Sequence, residues 1–119
     1  MADILEMAKD LGRTLARTEE YQTLRRAISL ADGDRDIVEL TSRLEALEGR
    51  VHAALQEGKR PPKEVQEEYD SVMGRLEASA AYQRLVSAQA NFDKIVQRVN
   101  LTIQKGLEEA AESRIILPS

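Results

Sequence analysis

Ile37-Val-Glu-Leu40-Thr-Ser-Arg-Leu44-Glu-Ala-Leu47-Glu-Gly-Arg-Val51-His-Ala-Ala54 is the stretch that decides the fold. Its apolar residues at 37, 40, 44, 47, 51 and 54 step alternately by three and four. That spacing gathers them on one face of a helix, and its repetition over about three heptads is the pattern of two helices packed side by side. Immediately upstream, Asp32-Gly33-Asp34 reads as a turn, with Asp34 placed to cap the helix. Downstream, Gly58 can end it, and Lys59-Arg60-Pro61-Pro62 makes a stiff, solvated reversal.

Working outward, a further helix follows the prolines with Val65, Tyr69, Val72 and Leu76 inward. Ser79 resembles a cap that opens a last helix, running to about Glu112 and carrying Tyr82, Leu85, Phe92, Val96, Val99, Ile103 and Leu107. At the other end, Asp3 caps a first helix with an apolar face of Ile4, Ala8, Leu11 and Leu15. Thr18 breaks the phase and caps a second helix, with Glu19 and Glu20 in its first turn and Tyr21, Leu24, Ala27 and Ile28 inward.

The two ends echo each other. Thr18-Glu-Glu-Tyr-Gln-Thr-Leu-Arg-Arg-Ala27 aligns with Ser79-Ala-Ala-Tyr-Gln-Arg-Leu-Val-Ser-Ala88, sharing Tyr, Gln, Leu and Ala in register. At the same offset, Ile4, Ala8, Leu11 and Leu15 fall opposite Val65, Tyr69, Val72 and Leu76. The chain reads as two related helix–break–helix units joined by the heptad helix.

Composition agrees with an all-α fold of antiparallel helical hairpins. Of 119 residues, 42% are hydrophobic and 32% charged, but only three are Tyr, one is Phe and none is Trp. Aliphatic ridges must therefore supply the burial that aromatic residues usually give. The formal charge of −4 argues against the positive field that non-specific nucleic-acid binding exploits. The absence of cysteine removes disulfides, thiolate metal sites and Fe–S ligation. The acidic, amphipathic start is unlike a signal peptide, no run is long enough to span a bilayer, and a cytoplasmic location is the default expectation.

Size points to self-association. An unbroken last helix would be roughly 50 Å long, whereas a compact domain of this length is about 35 Å across. The overhang still carries Ile103 and Leu107, so a homodimer or higher oligomer is expected to complete the bundle. The alternative is a kink at Gly106 that folds the overhang back. Residues 1–112 are read as one helical domain and 113–119 as an apolar tail.

No constellation for catalysis, cofactor or metal binding is identified. His52 is the only histidine and lies beside the heptad seam, without the partners a triad or metal site needs. Glu64, Glu67 and Glu68 lack the histidine that di-metal bundles place three residues on, and instead suit a helix N-terminus. Lys9, Arg13 and Arg17 step by four along one face, with Arg25 and Arg26 beyond the break. They form either a basic ridge for RNA or an acidic partner, or simply a solvated face. Ile115, Ile116 and Leu117, stopped by Pro118, would sit poorly in water. They pack within an oligomer or serve as a docking segment for another protein.

With the helices placed, the chain resembles the YlbF/YmcA family of small bacterial helical regulators, and within it the cysteine-free, YheA-like branch. Carrying the resemblance are Ile4-Leu-Glu-Met-Ala-Lys-Asp-Leu-Gly12, Thr18-Glu-Glu-Tyr21 and Tyr82-Gln-Arg-Leu-Val-Ser-Ala-Gln-Ala-Asn-Phe92, followed by Val99-Asn100. The helix ending near Gly58 and the proline reversal match the family layout. The resemblance implies an all-α fold that self-associates and acts through other proteins. YlbF and YmcA join a third protein in a complex linked to competence, sporulation, biofilm formation and RNase Y-dependent transcript maturation. Some members hold Fe–S clusters on cysteines, which this chain lacks. The expectation is a non-enzymatic oligomeric adaptor or regulator that modulates an RNA-processing or developmental complex. The oligomer and core seams are Ile37, Leu40, Leu44, Leu47 and Val51, and Phe92, Val96, Val99, Ile103 and Leu107. Competing readings are an RNA-binding accessory protein using the basic ridge, and a purely structural assembly subunit.

Overall fold

The computed structural model describes residues 3–116, with side chains described from 3 to 112. Five helices account for nearly all of it: α1 (Ile4–Ala16), α2 (Glu19–Asp32), α3 (Arg35–Gln56), α4 (Lys63–Glu77) and α5 (Ala80–Ile116). There is no strand among the described residues. Each boundary has a local chemical cause. Asp3, Thr18, Asp34 and Ser79 sit at helix starts, and their side-chain oxygens accept from the backbone N–H of Leu5, Tyr21, Ile37 and Tyr82. At the end of α3, Gly58 adopts φ 73°. The Lys59 N–H donates to the Ala54 carbonyl and the Gly58 N–H to that of Leu55, the paired closure that a left-handed glycine permits. Pro62 then opens α4 without a side-chain cap.

α3 and α4 form a hairpin whose seam is the core. Ala31, Ile37, Leu40, Leu47, Val65, Val72 and Leu76 are buried together, with Leu44, Val51 and Tyr69 half-buried against them. An exposed ion pair, Arg43 to Glu68 at 2.6 Å, crosses the same hairpin. A second, smaller cluster of Leu24, Ala27 and Ala88 joins α2 to the first half of α5, flanked by Ile28 and Phe92. Leu85 packs against both clusters and couples them. Tyr21 meets Phe92 with ring centroids 5.2 Å apart and planes tilted by 59°, a favourable aromatic geometry.

The internal repeat is visible in hydrogen bonds as well as in sequence. Thr18 caps α2 as Ser79 caps α5. The Gln22 side chain reaches back across the break to donate to the Ala16 carbonyl, and Gln83 does the same to the Glu77 carbonyl. The two glutamines thus satisfy equivalent carbonyls, each left over at a helix end. The matching alanines, Ala27 and Ala88, lie in one cluster, so the second helices of the two units pack on each other.

The molecule is long rather than round. Its radius of gyration is 21.3 Å and its extents are 67 × 39 × 22 Å, against about 13.5 Å expected for a compact domain of this length. The cause is α5, which runs unbroken through Gly106 for 37 residues, or about 55 Å. The kink does not form, because one glycine costs a helix only about 1 kcal/mol. Accessible surface reaches 9700 Å², where a compact 13.3 kDa monomer exposes about 6,500 Å².

Candidate interaction surface

The residues expected to pack fall into two sets. On α3, Ile37, Leu40 and Leu47 are buried and Leu44 and Val51 half-buried, all against the chain's own core. That seam is used up inside one copy. On α5, burial fades along the helix: Phe92, Val96 and Val99 are half-buried, whereas Ile103 is 52% and Leu107 67% exposed. From Asn100 to Glu112 every residue is exposed.

α1 adds a second uncovered face. It concentrates its apolar residues on one side, yet none of them is buried, and Ile4 is 77% and Met7 58% exposed. Between α1 and the distal part of α5 lies an open groove of about 490 Å³, lined by Leu11, Ile95, Val99, Thr102 and Ile103 together with Glu20 and Arg98. Its lining combines aliphatic side chains with two charged ones, a mixture that protein interfaces commonly show. Ile95 was not singled out from the sequence, although it sits one residue from Val96 on the same turn.

Two other grooves flank the core. One of about 410 Å³ lies between the end of α3 and the start of α4, lined by Val51, Leu55, Pro61 and Tyr69 with Glu48, His52 and Asp70 around it. His52 is exposed there. The other, about 510 Å³, follows the α2–α5 crossing and is lined by Thr23, Arg26, Leu30, Gln83, Arg84, Ser87 and Asn91. Arg84 escaped the sequence reading. It occupies the position matching Thr23 in the internal repeat, so superposing the two units would have brought it beside Arg26.

The five basic residues are divided between the α1 segment and α2. Lys9, Arg13 and Arg17 are exposed at α1, where Arg13 pairs with Asp10 at 2.7 Å. Arg25 and Arg26 are exposed on α2, and Arg26 alone of the five lines the α2–α5 groove. The backbone of α5 reaches Ile116. The side chains of Ile115 and Ile116, and Leu117 altogether, lie outside the described residues. Among the described residues, no group of three or more His, Asp or Glu gathers as metal ligands would. None of the helices so described is long and apolar enough to cross a membrane.

These features define a class: a small all-helical protein, built from a duplicated helix–break–helix unit, that leaves long aliphatic faces open. The chain belongs to the family described as control of competence regulator ComK, YlbF/YmcA, whose model matches residues 4–108. Relatives named UPF0342 protein support this. One from Bacillus mycoides (strain KBAB4) is 24% identical over 107 residues, covering 90% of this chain and 92% of the relative. Another from Streptococcus gordonii is 29% identical over 80 residues, covering 67% and 71%. A third, from Lactobacillus delbrueckii subsp. bulgaricus, is 25% identical over 112 residues, covering 94% and 96%. The family's description is that of a regulator.

Proposed function

We propose that this protein is a non-enzymatic, cytoplasmic adaptor that regulates by binding: it self-associates and presents a surface to another protein, within an RNA-processing or developmental regulatory complex. The observation that carries this reading is the pair of uncovered aliphatic faces, on α1 and on α5 beyond Asn100. Large apolar residues scattered singly on a surface need no explanation, but aligned along two neighbouring helices they mark an interaction site. The family's regulatory description supports the same reading.

Sedimentation equilibrium at micromolar concentration, paired with co-purification from the native cell, tests it. The expected result is a mass of two or more subunits, and a co-purifying protein whose recovery falls when Leu107→Asp is introduced. A single-subunit mass with no protein depending on that face would sink the proposal.

One observation favours a second reading, that of an RNA-binding accessory protein. The α2–α5 groove brings Arg26 and Arg84 together with Thr23, Gln83, Ser87 and Asn91, and no carboxylate is among its lining residues. Such a set suits phosphate oxygens. RNA affinity that falls steeply with salt, and is lost in Arg26→Glu with Arg84→Glu, would favour this reading over the first.

A further inference from the structure

The duplicated units differ in one decisive respect. In the second, α4 lays Val65, Tyr69, Val72 and Leu76 against α3, and Leu76 is 0% exposed. In the first, none of the matching positions Ile4, Ala8, Leu11 and Leu15 of α1 is buried, and Leu11 only borders an open groove beside α5. The molecule therefore states what this kind of face packs against: a helix with aliphatic residues three and four apart. Distal α5 is such a helix, with Val99, Ile103, Leu107 and Ala110 along one side, and it too lacks cover.

We propose that α1 is completed by the distal α5 of a second copy, which enters the groove between α1 and α5 of the first, the exchange being repeated about a two-fold axis. This rests on the self-association reading and names the surfaces and the pairing. The lengths match: α1 is about 20 Å long and residues 99–112 about 21 Å. Gly106 falls on the same side of α5 as Ile103, and a Cβ built there meets nothing within 4 Å, so a second helix can approach closely. The surface available is ample. The protomer exposes about 3,200 Å² more than a compact chain of its mass would, and one side of a stable interface needs about 800 Å².

Charge sets the direction. Arg98 and Lys105 precede Glu108, Glu109 and Glu112 along α5. Two such rods side by side in the same sense would oppose glutamates to glutamates. Running in opposite senses, they bring each acidic end towards the partner's Arg98. Within one chain α1 runs back along α5, since Leu11 lines the groove with Val99 and Ile103 while Tyr21 meets Phe92. It therefore lies parallel to the incoming rod.

The test measures the dimer dissociation constant of the full chain by sedimentation, with helicity confirming that each variant is folded. Met7→Asp and Ile103→Asp should each weaken the dimer roughly 100-fold or more. Leu101→Asp should leave it unchanged, because Leu101, although 64% exposed, lies about 160° round the helix from Ile103 at 100° per residue. Arg13→Glu should likewise leave it unchanged, because Arg13 lies about 160° round α1 from Leu11. A dimer that responds to Ile103→Asp but ignores Met7→Asp would overturn the α1 pairing while leaving self-association intact. A monomeric wild-type chain would overturn both.

Discussion

The two halves of α5 carry the same kinds of residue and meet opposite surroundings. Up to Val99, its apolar positions turn against α2 and α4, so that Leu85, Ala88 and Phe92 enter the two core clusters. Beyond Asn100 the stripe continues with Ile103 and Leu107, but every residue from there to Glu112 is exposed, and α1 only borders the stripe across an open groove. The helix itself is indifferent to this change. Its backbone hydrogen bonds are local, so it propagates through covered and uncovered stretches alike. Periodicity reports which face is apolar; it does not report which molecule covers that face.

That contrast can be broken or sharpened by substitution. Leu76→Ala should have the largest effect, since it empties a fully buried site; a loss of about 2–5 kcal/mol in urea unfolding is expected. A loss below 1 kcal/mol would mean that the α3–α4 seam is not the core. Ala88→Leu, which crowds the α2–α5 contact, should cost about 1–3 kcal/mol and lower the melting temperature. Thr18→Ala and Ser79→Ala remove equivalent caps and should each cost about 1 kcal/mol. Similar losses would support equivalence of the two units, and a large disparity would argue against it. At the small end, Leu101→Ala should stay within about 0.5 kcal/mol by thermal melting, as surface substitutions usually do.

Much of this architecture was legible because its causes are local. Asp3, Thr18, Asp34 and Ser79 announce helix starts through a side-chain oxygen at the right offset, and Gly58 announces an end through the conformation it alone tolerates easily. The three-and-four spacing from Ile37 to Val51 identified a packed seam. The assignment of cover was not legible. Ile4–Leu15 and Val65–Leu76 have the same pattern, yet only the second is buried, because the difference lies in where α3 folds back rather than in either helix. The α2–α5 groove was missed for a related reason. It joins Arg26 to Arg84, 58 positions apart in sequence, and a ridge read along one helix cannot anticipate a neighbour supplied by another. Lys9, Arg13 and Arg17 share a sequence spacing with each other, but none of them lines the α2–α5 groove with Arg26.

The glutamine latch has a bearing on how firmly a partner is held. Gln22 ties the start of α2 to the last turn of α1, so the elbow is braced even though α1 buries none of its own residues. A helix swinging on an unbraced joint would surrender that freedom on docking, which weakens grip. Here the angle is set beforehand, and an incoming surface meets a splinted limb.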